Sequence, residues 1–217
     1  MRMRPKKNRD MRLKKVDTLF AVDNGESIDI EASFDEKRPL WLEIGCGKGA
    51  FATQMSSRHP EVNFLAFEKV IDVLMMAMEK ADREGCGNLR FYNCDAENIG
   101  VLLAGVKLDR IFINFCDPWP KKRNAKRRLT SPLFLEKYKP FLAEGARIFF
   151  KTDNRPLFDY SLETFAECGY TVENVCFDLH NSPMNENNIQ TEYEKNFSGK
   201  GFTINYLEAY IKPNSSN

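Results

Sequence analysis

From Pro39 onward the chain alternates short apolar runs with amphipathic stretches, and this alternation restricts the fold more than any other feature. Leu40 to Ile44, Val62 to Phe67, Asn88 to Tyr92, Leu108 to Phe115 and Ala146 to Phe150 read as strands. Residues 48–58, Val70 to Glu84, a stretch after Asp95, one opening at Ser131-Pro132 and one running from Pro156 to near Gly169 read as helices. In Val70 to Glu84 the residues Val70, Val73, Leu74, Ala77, Met78 and Ala81 fall on one helical face. Ser131-Pro132 is a cap residue followed by proline at the first helical position. Tyr170 to Leu179 and Phe202 to Ile211 add two late strands. Alternation of this kind specifies an α/β fold with a mostly parallel, seven-stranded sheet and helices on both faces. Such sheets bind ligands at the carboxyl ends of their strands. Glu43, Gly45, Glu68, Asp95, Asp117 and Asp153 all fall just there.

The 217 residues suffice for one large domain, or one domain with an appendage. We divide them into a basic N-terminal arm over residues 1–38, flexible or partly helical, and a folded domain over 39–217. No apolar run approaches the roughly 20 residues of a membrane span. The basic N-terminus has no apolar segment behind it, so it is not a secretory signal, and a cytoplasmic location is expected. Six cysteines without a Cys-x-x-Cys pair, and only two histidines, make a metal site unexpected. The net charge of +1 conceals a segregation: residues 1–15 carry +7 and residues 121–128 carry +6, leaving −12 on the other 194. Two concentrated cationic segments on a near-neutral chain suit a polyanionic partner.

Glu43-Ile44-Gly45-Cys46-Gly47-Lys48-Gly49 is a glycine-rich turn between a strand and a helix. Its glycines permit positive φ and close approach of a ligand to the backbone. Gly45, Gly47 and Ala50 also fit a dinucleotide fingerprint loosely, so spacing alone leaves an NAD-dependent oxidoreductase open. A carboxylate at Glu43 would repel a pyrophosphate but can meet the ammonium of S-adenosylmethionine. Glu68 can accept both hydroxyls of a ribose. Asp95 is placed for an adenine edge, or for capping the turn that follows it.

Asp117-Pro118-Trp119-Pro120 sets a carboxylate and an indole in a stiffened loop. Trp119 can stack on a base or pack against the sheet. The cationic run from Lys121 to Arg128 follows at once. Thr191-x-x-Glu194 fits a capping box, and it can also present polar groups to a substrate. Asp153 stands next to Asn154-Arg155-Pro156, where it can cap a helix.

Taken together, Glu43-x-Gly45-x-Gly47-Lys48-Gly49, Phe67-Glu68-Lys69, Asn114-Phe115-x-Asp117-Pro118-Trp119-Pro120-Lys121-Lys122-Arg123, Lys126-Arg127-Arg128-Leu129-Thr130, Lys151-Thr152-Asp153 and Thr191-Glu192-Tyr193-Glu194 resemble the bacterial tRNA (guanine-N7)-methyltransferase family. The resemblance runs over most of the chain from about residue 39. It implies a Rossmann-like class I S-adenosylmethionine-dependent methyltransferase fold and methyl transfer to N7 of the variable-loop guanine at position 46 of tRNA. It implies cofactor contacts from Glu43, Gly45, Gly47, Glu68, Asp95 and Asp117. It implies substrate contacts from Lys121, Asp153, Thr191, Glu192, Tyr193 and Glu194, with Arg123, Lys126, Arg127 and Arg128 on RNA. Asp117 carries the catalytic assignment. The partner is tRNA, with no metal and no membrane, and a monomer and a homodimer both stay open. Asn124 stands where histidine is expected and Cys116 where serine is common, which points to tuning rather than loss of activity. Beside the oxidoreductase, the same fold would serve a non-catalytic RNA-binding protein or a methyltransferase of small molecules. The intact row of strand-end acids speaks against the first of these, and the concentrated positive charge against the second.

Overall fold

A computed structural model describes residues 6–198 and 201–212. The chain divides into two compact units, Met1–Leu102 and Leu103–Asn217. Its seven principal strands form a mostly parallel sheet, flanked by helices.

In the first unit the strands β1 (Leu40–Ile44), β2 (Asn63–Glu68) and β3 (Leu89–Asn93) run parallel in the order β3-β2-β1. Every residue of β1 is buried, and so are the first five of β2. That is the pattern of strands covered on both faces. The basic N-terminal segment belongs to this unit. It carries helix α1 (Arg9–Lys15), a small hairpin and a short helical turn, Ile30–Ser33. Val16, Leu19, Ala21, Ile28 and Phe34 are buried, which explains why a polar stretch packs at all. Phe20 forms a parallel bridge with Phe91, and the Ala21 N–H donates to the Phe91 carbonyl at 2.9 Å. The segment thereby covers the β3 edge, which would otherwise present unpaired backbone groups. The Arg12 guanidinium donates to both Glu79 oxygens, at 2.7 and 2.6 Å.

Glu79 lies on the long helix α3 (Ile71–Glu84), which buries Leu74, Met75, Ala77, Met78 and Ala81. Helix α2 (Ala50–Arg58) precedes it. The two helices meet where Gly49 caps α2 at φ +76°. A Cβ added to Gly49 would lie 2.7 Å from the Ala77 Cβ, so the glycine is fixed by both backbone conformation and space.

In the second unit β4 (Leu108–Asn114) and β5 (Leu142–Thr152) are parallel. Strand β7 (Asn205–Tyr210) lies between β5 and β6 (Thr171–Cys176) and runs antiparallel to both. Helices α4 (Pro132–Tyr138), α5 (Arg155–Glu167) and α6 (Glu192–Ser198) complete it. Phe150 and Phe158 stack at 6.2 Å in a core that also buries Phe165, Ile148 and Leu207. Strand ends depart from the sequence pattern for local reasons. β4 stops at Asn114 because Phe115 turns to φ +53°. The register of β6 against β7 shifts between Glu173 and Cys176, where Asn174 has φ +51°. β5 begins four residues early, since Leu142 already pairs with Leu108.

Gly49→Ala forces a positive φ and a clash with Ala77, so it should destabilise by more than about 1 kcal/mol. That corresponds to a Tm loss of at least roughly 2–4 °C for a chain of this size. Gly87→Ala, with no positive φ and nothing within 4 Å of its added Cβ, should leave Tm unchanged. Equal melting of the two variants in thermal scans would remove the packing constraint assigned to Gly49.

Candidate active site

In the first unit, β1 delivers Glu43 to its carboxyl end with the side chain buried at 1% exposure. The turn that follows holds Gly45 at φ +84° and Gly47 at φ +55°, and an added Cβ at either would meet nothing within 4 Å. This open space lies over the backbone of a strand-to-helix turn, as a ligand cradle requires. The Gly45 and Cys46 N–H groups both donate to the Phe67 carbonyl at 2.9 Å, tying the turn to β2.

At the end of β2, Glu68 accepts from the Gly47 N–H at 3.1 Å through Oε2 and from the Val70 N–H at 2.8 Å through Oε1. Each carboxylate oxygen keeps a second lone pair for a ligand hydroxyl. Asp95 caps the short turn Ala96–Asn98, with Oδ1 accepting from the Glu97 N–H at 3.1 Å, while Oδ2 pairs with Lys69. The capping role is thus present through Oδ1, and the ion pair with Lys69 engages Oδ2.

Two thiols lie in this corner, close to its acids. Burial pushes the Cys46 thiol well up, and the carboxylates of Glu43 and Glu68 push it further. Cys94 is pushed up to about 12, by burial first and then by Asp95 and Glu68. The negative potential gathered here suits a ligand that carries positive charge. An ammonium-bearing sulfonium fits it, and a pyrophosphate does not.

In the second unit, the loop after β4 presents Asp117 in an exposed position. Phe115 and Trp119 hold positive φ, of 53° and 40°. Non-glycine residues there cost on the order of 1–3 kcal/mol each and persist only where their surroundings enforce them. Arg128 provides much of that enforcement. Its Nε donates to the Pro118 carbonyl at 3.0 Å, its Nη2 donates to the Trp119 carbonyl at 3.2 Å, and its guanidinium lies 4.2 Å from the Tyr160 ring centroid. The Arg127 guanidinium sits over the Trp119 ring at 4.2 Å. Arg128 is therefore committed to the loop, whereas Lys121, Lys122, Arg123 and Lys126 are exposed. Asn124 lies in the turn Lys122–Arg127, its N–H donating to the Lys121 carbonyl at 2.8 Å. Cys116 is pushed up to about 12 by burial and then by Asp117.

The cap of α5 is Asn154, whose Oδ1 accepts from the Leu157 N–H at 2.9 Å. Asp153 is thereby released from capping, and its Oδ2 accepts from the Tyr193 hydroxyl at 3.2 Å. The capping box at the start of α6 is complete: the Glu194 N–H donates to Thr191 Oγ1 at 2.9 Å, and the Thr191 N–H to Glu194 Oε2 at 3.2 Å. Glu192 is exposed, whereas Glu194 is fully buried.

Glu194 Oε2 also accepts from Lys151 Nζ at 2.9 Å, and its Oε1 pairs with His180 Nε2 at 2.8 Å and accepts from Asn188 Nδ2 at 2.7 Å. Lys151 donates further to Asn188 Oδ1 at 3.0 Å and the Ile189 carbonyl at 2.9 Å. Glu194 thus faces inward and positions the exposed residues beside it. Burial alone would raise its pKa, but Lys151, Asn188 and His180 bring it below the ordinary value of 4.5. Sequence reasoning attached no role to Lys151, His180 or Asn188. A lysine inside the apolar run of β5 was the available signal, because a buried ammonium requires an acid.

A mostly parallel seven-stranded sheet whose first glycine turn is ringed by strand-end acids defines the class I S-adenosylmethionine-dependent methyltransferase fold. A family model described as "Putative methyltransferase" matches residues 37–207. The tRNA (guanine-N(7)-)-methyltransferase of Macrococcus caseolyticus (strain JCSC5402) is 42% identical over 96% of this chain and 99% of that protein. The enzyme of that name from Halalkalibacterium halodurans is 47% identical over 83% of this chain and 82% of that one. Among solved structures, the 16S rRNA methyltransferase KamB superposes with a TM-score of 0.65 at 16% identity, covering 90% of this chain and 99% of that one, a likeness of fold. The chain belongs to the tRNA (guanine-N(7)-)-methyltransferase family.

Glu194→Gln keeps the shape of the side chain and removes its charge. Because the folded pKa lies below 4.5, the stabilisation is full above that value and is lost as pH falls through the folded one. Urea melts at neutral pH should place the variant about 3 kcal/mol or more below wild type, and this gap should close as the pH drops into the acid range. A gap independent of pH would show that the charge is not what Glu194 contributes.

Proposed function

We propose that this enzyme, an S-adenosylmethionine-dependent tRNA (guanine-N7)-methyltransferase, modifies the variable-loop guanine at position 46, with Asp117 as the residue that places the base. Membership of the family supports the reaction. The carboxylate set in a strained loop at the end of β4, clamped by Arg128, is the observation that carries the residue assignment.

Bound S-adenosylmethionine supplies an electrophilic methyl group on a sulfonium. Glu43, the open backbone at Gly45 and Gly47, Glu68 and Asp95 are the residues that would hold it. Their shared negative potential favours its cationic head, and the spare lone pairs of Glu68 suit its ribose hydroxyls.

N7 of guanine carries a lone pair and no proton, so the chemistry needs no general base. It needs alignment, and a countercharge for a purine ring that becomes cationic. Asp117 supplies both by accepting hydrogen bonds from the guanine edge in a fixed position. Asp153, oriented by the Tyr193 hydroxyl, together with Thr191, Glu192 and Lys121, lines the substrate side. Arg123, Lys126 and Lys122 meet phosphates. Arg127 acts from its place over Trp119, and Arg128 acts through the loop. We place this activity in the cytoplasm, alongside tRNA maturation; no helix among the described residues is long and apolar enough to cross a membrane.

Incubation with labelled S-adenosylmethionine and unmodified tRNA should put the label on N7-methylguanosine in the variable loop. Asp117→Asn should slow the transfer on the order of 100-fold or more while leaving tRNA binding nearly unchanged. Label elsewhere would refute the target, and normal turnover in the variant would refute the role of Asp117. Replacing Lys122, Arg123 and Lys126 with glutamine should weaken tRNA binding and reduce the log-log salt slope by about 0.7–0.9 for each phosphate no longer neutralised. An unchanged slope would return those cations to a purely solvated surface.

A further inference from the structure

Helix α6 bears two aromatic residues one helical turn apart, Tyr193 and Phe197, whose rings stack at 4.1 Å with only 15° between their planes. The row extends at both ends. Phe115 packs on Tyr193 at 5.1 Å, and Phe202 meets Phe197 edge-on at 5.6 Å. Such rows ordinarily close a core. This one opens to solvent, with Tyr193 at 40% and Phe202 at 52% exposure. Exposed aromatic side chains of this kind act as stacking platforms for unpaired nucleobases, whose flat faces they match without regard to sequence.

The inner end of the row identifies the occupant. Phe115 is two residues from Asp117, in the same strained loop, and the cationic run from Lys121 begins four residues after Asp117. The row therefore starts two residues from the one assigned to the target guanine, in the loop that leads into a segment suited to phosphates, and it ends at an exposed ring. We propose that Phe202, backed by Phe197 and Tyr193, is the stacking surface for a nucleotide flanking the target guanine, holding the variable loop open while that guanine is presented to Asp117. This rests on the tRNA guanine-N7 reading above and adds a subsite to it.

The test uses an unmodified tRNA transcript carrying 2-aminopurine at single positions on either side of the target guanine. Binding to the wild-type enzyme should change the fluorescence at one flanking position, and Phe202→Leu, which keeps an apolar group but lacks the flat ring, should abolish that change. Phe202→Leu should also raise KM for tRNA about 10-fold, in line with the loss of one stacked base, with kcat at saturating tRNA and Tm preserved. Phe202→Trp should restore both fluorescence and KM. A wild-type enzyme that methylates guanine N7, with a Phe202→Leu variant unaltered in KM and in fluorescence, overturns the platform and leaves the main reading intact. Failure of the wild type to methylate guanine N7 overturns the main reading instead.

Discussion

The ion pair between Lys151 and Glu194 organises the second unit around its candidate substrate residues. Both side chains lie in the interior, at 5% and 0% exposure. Taking either charge out of water alone would cost several kcal/mol, so each is viable only with the other and with its hydrogen bonds complete. Lys151 uses all three donors, and each oxygen of Glu194 accepts twice. This saturation draws the end of β5, the turn holding His180, the Asn188–Ile189 stretch and the start of α6 to one point. Tyr193 stands one residue from Glu194 and Asp153 two residues from Lys151, so their mutual contact follows from the buried pair. A hydrophobic replacement could match the stability of such a pair, but it would not fix where four separate segments end.

The Asp117 loop is fixed by another device. Two non-glycine residues sit at positive φ within five positions, a conformation the loop would not keep unaided. Arg128 binds two consecutive carbonyls of the loop and rests on Tyr160, converting one member of a cationic run into a brace. Charge and shape in this run are thus divided between neighbours. Arg128 holds the carboxylate loop, Arg127 covers Trp119, and the exposed members face outward. A count of positive charges cannot see that division, because it depends on which guanidinium reaches a carbonyl.

The parallel strands and their order of helices were legible because period and length decide them: five buried residues in β1 and a continuous apolar face on α3 leave little choice. The positions of the acids at strand ends were legible for the same reason. What could not be read was set by contacts distant in sequence. Asn154, not Asp153, caps α5, and both residue types cap well; only the hydroxyl of Tyr193, forty residues on, distinguishes them. Glu194 belonged to a recognisable capping box, but its burial depends on Lys151 and His180. The packing of residues 6–38 rests on a few apolar side chains, such as Leu19 and Phe34, spread through a polar background where no periodicity appears.

Three free thiols lie beside the acids of the candidate site. Cys46, Cys94 and Cys116 each stand next to a residue of the candidate site, and each is pushed up by burial together with the acids beside it. Burial is the first cause at each point and the neighbouring acids the second, and only the second would favour a sulfonium or a cationic purine. Neutral Cys116 beside Asp117 therefore adds no competing negative charge and withdraws no proton, which suits a reaction whose nucleophile has none to give. Serine and cysteine at position 116 accordingly differ little in charge, since both remain neutral there. Within the Lys121–Arg128 segment, Lys121, Lys122, Arg123 and Lys126 keep their charge at the surface, where it is suited to phosphate.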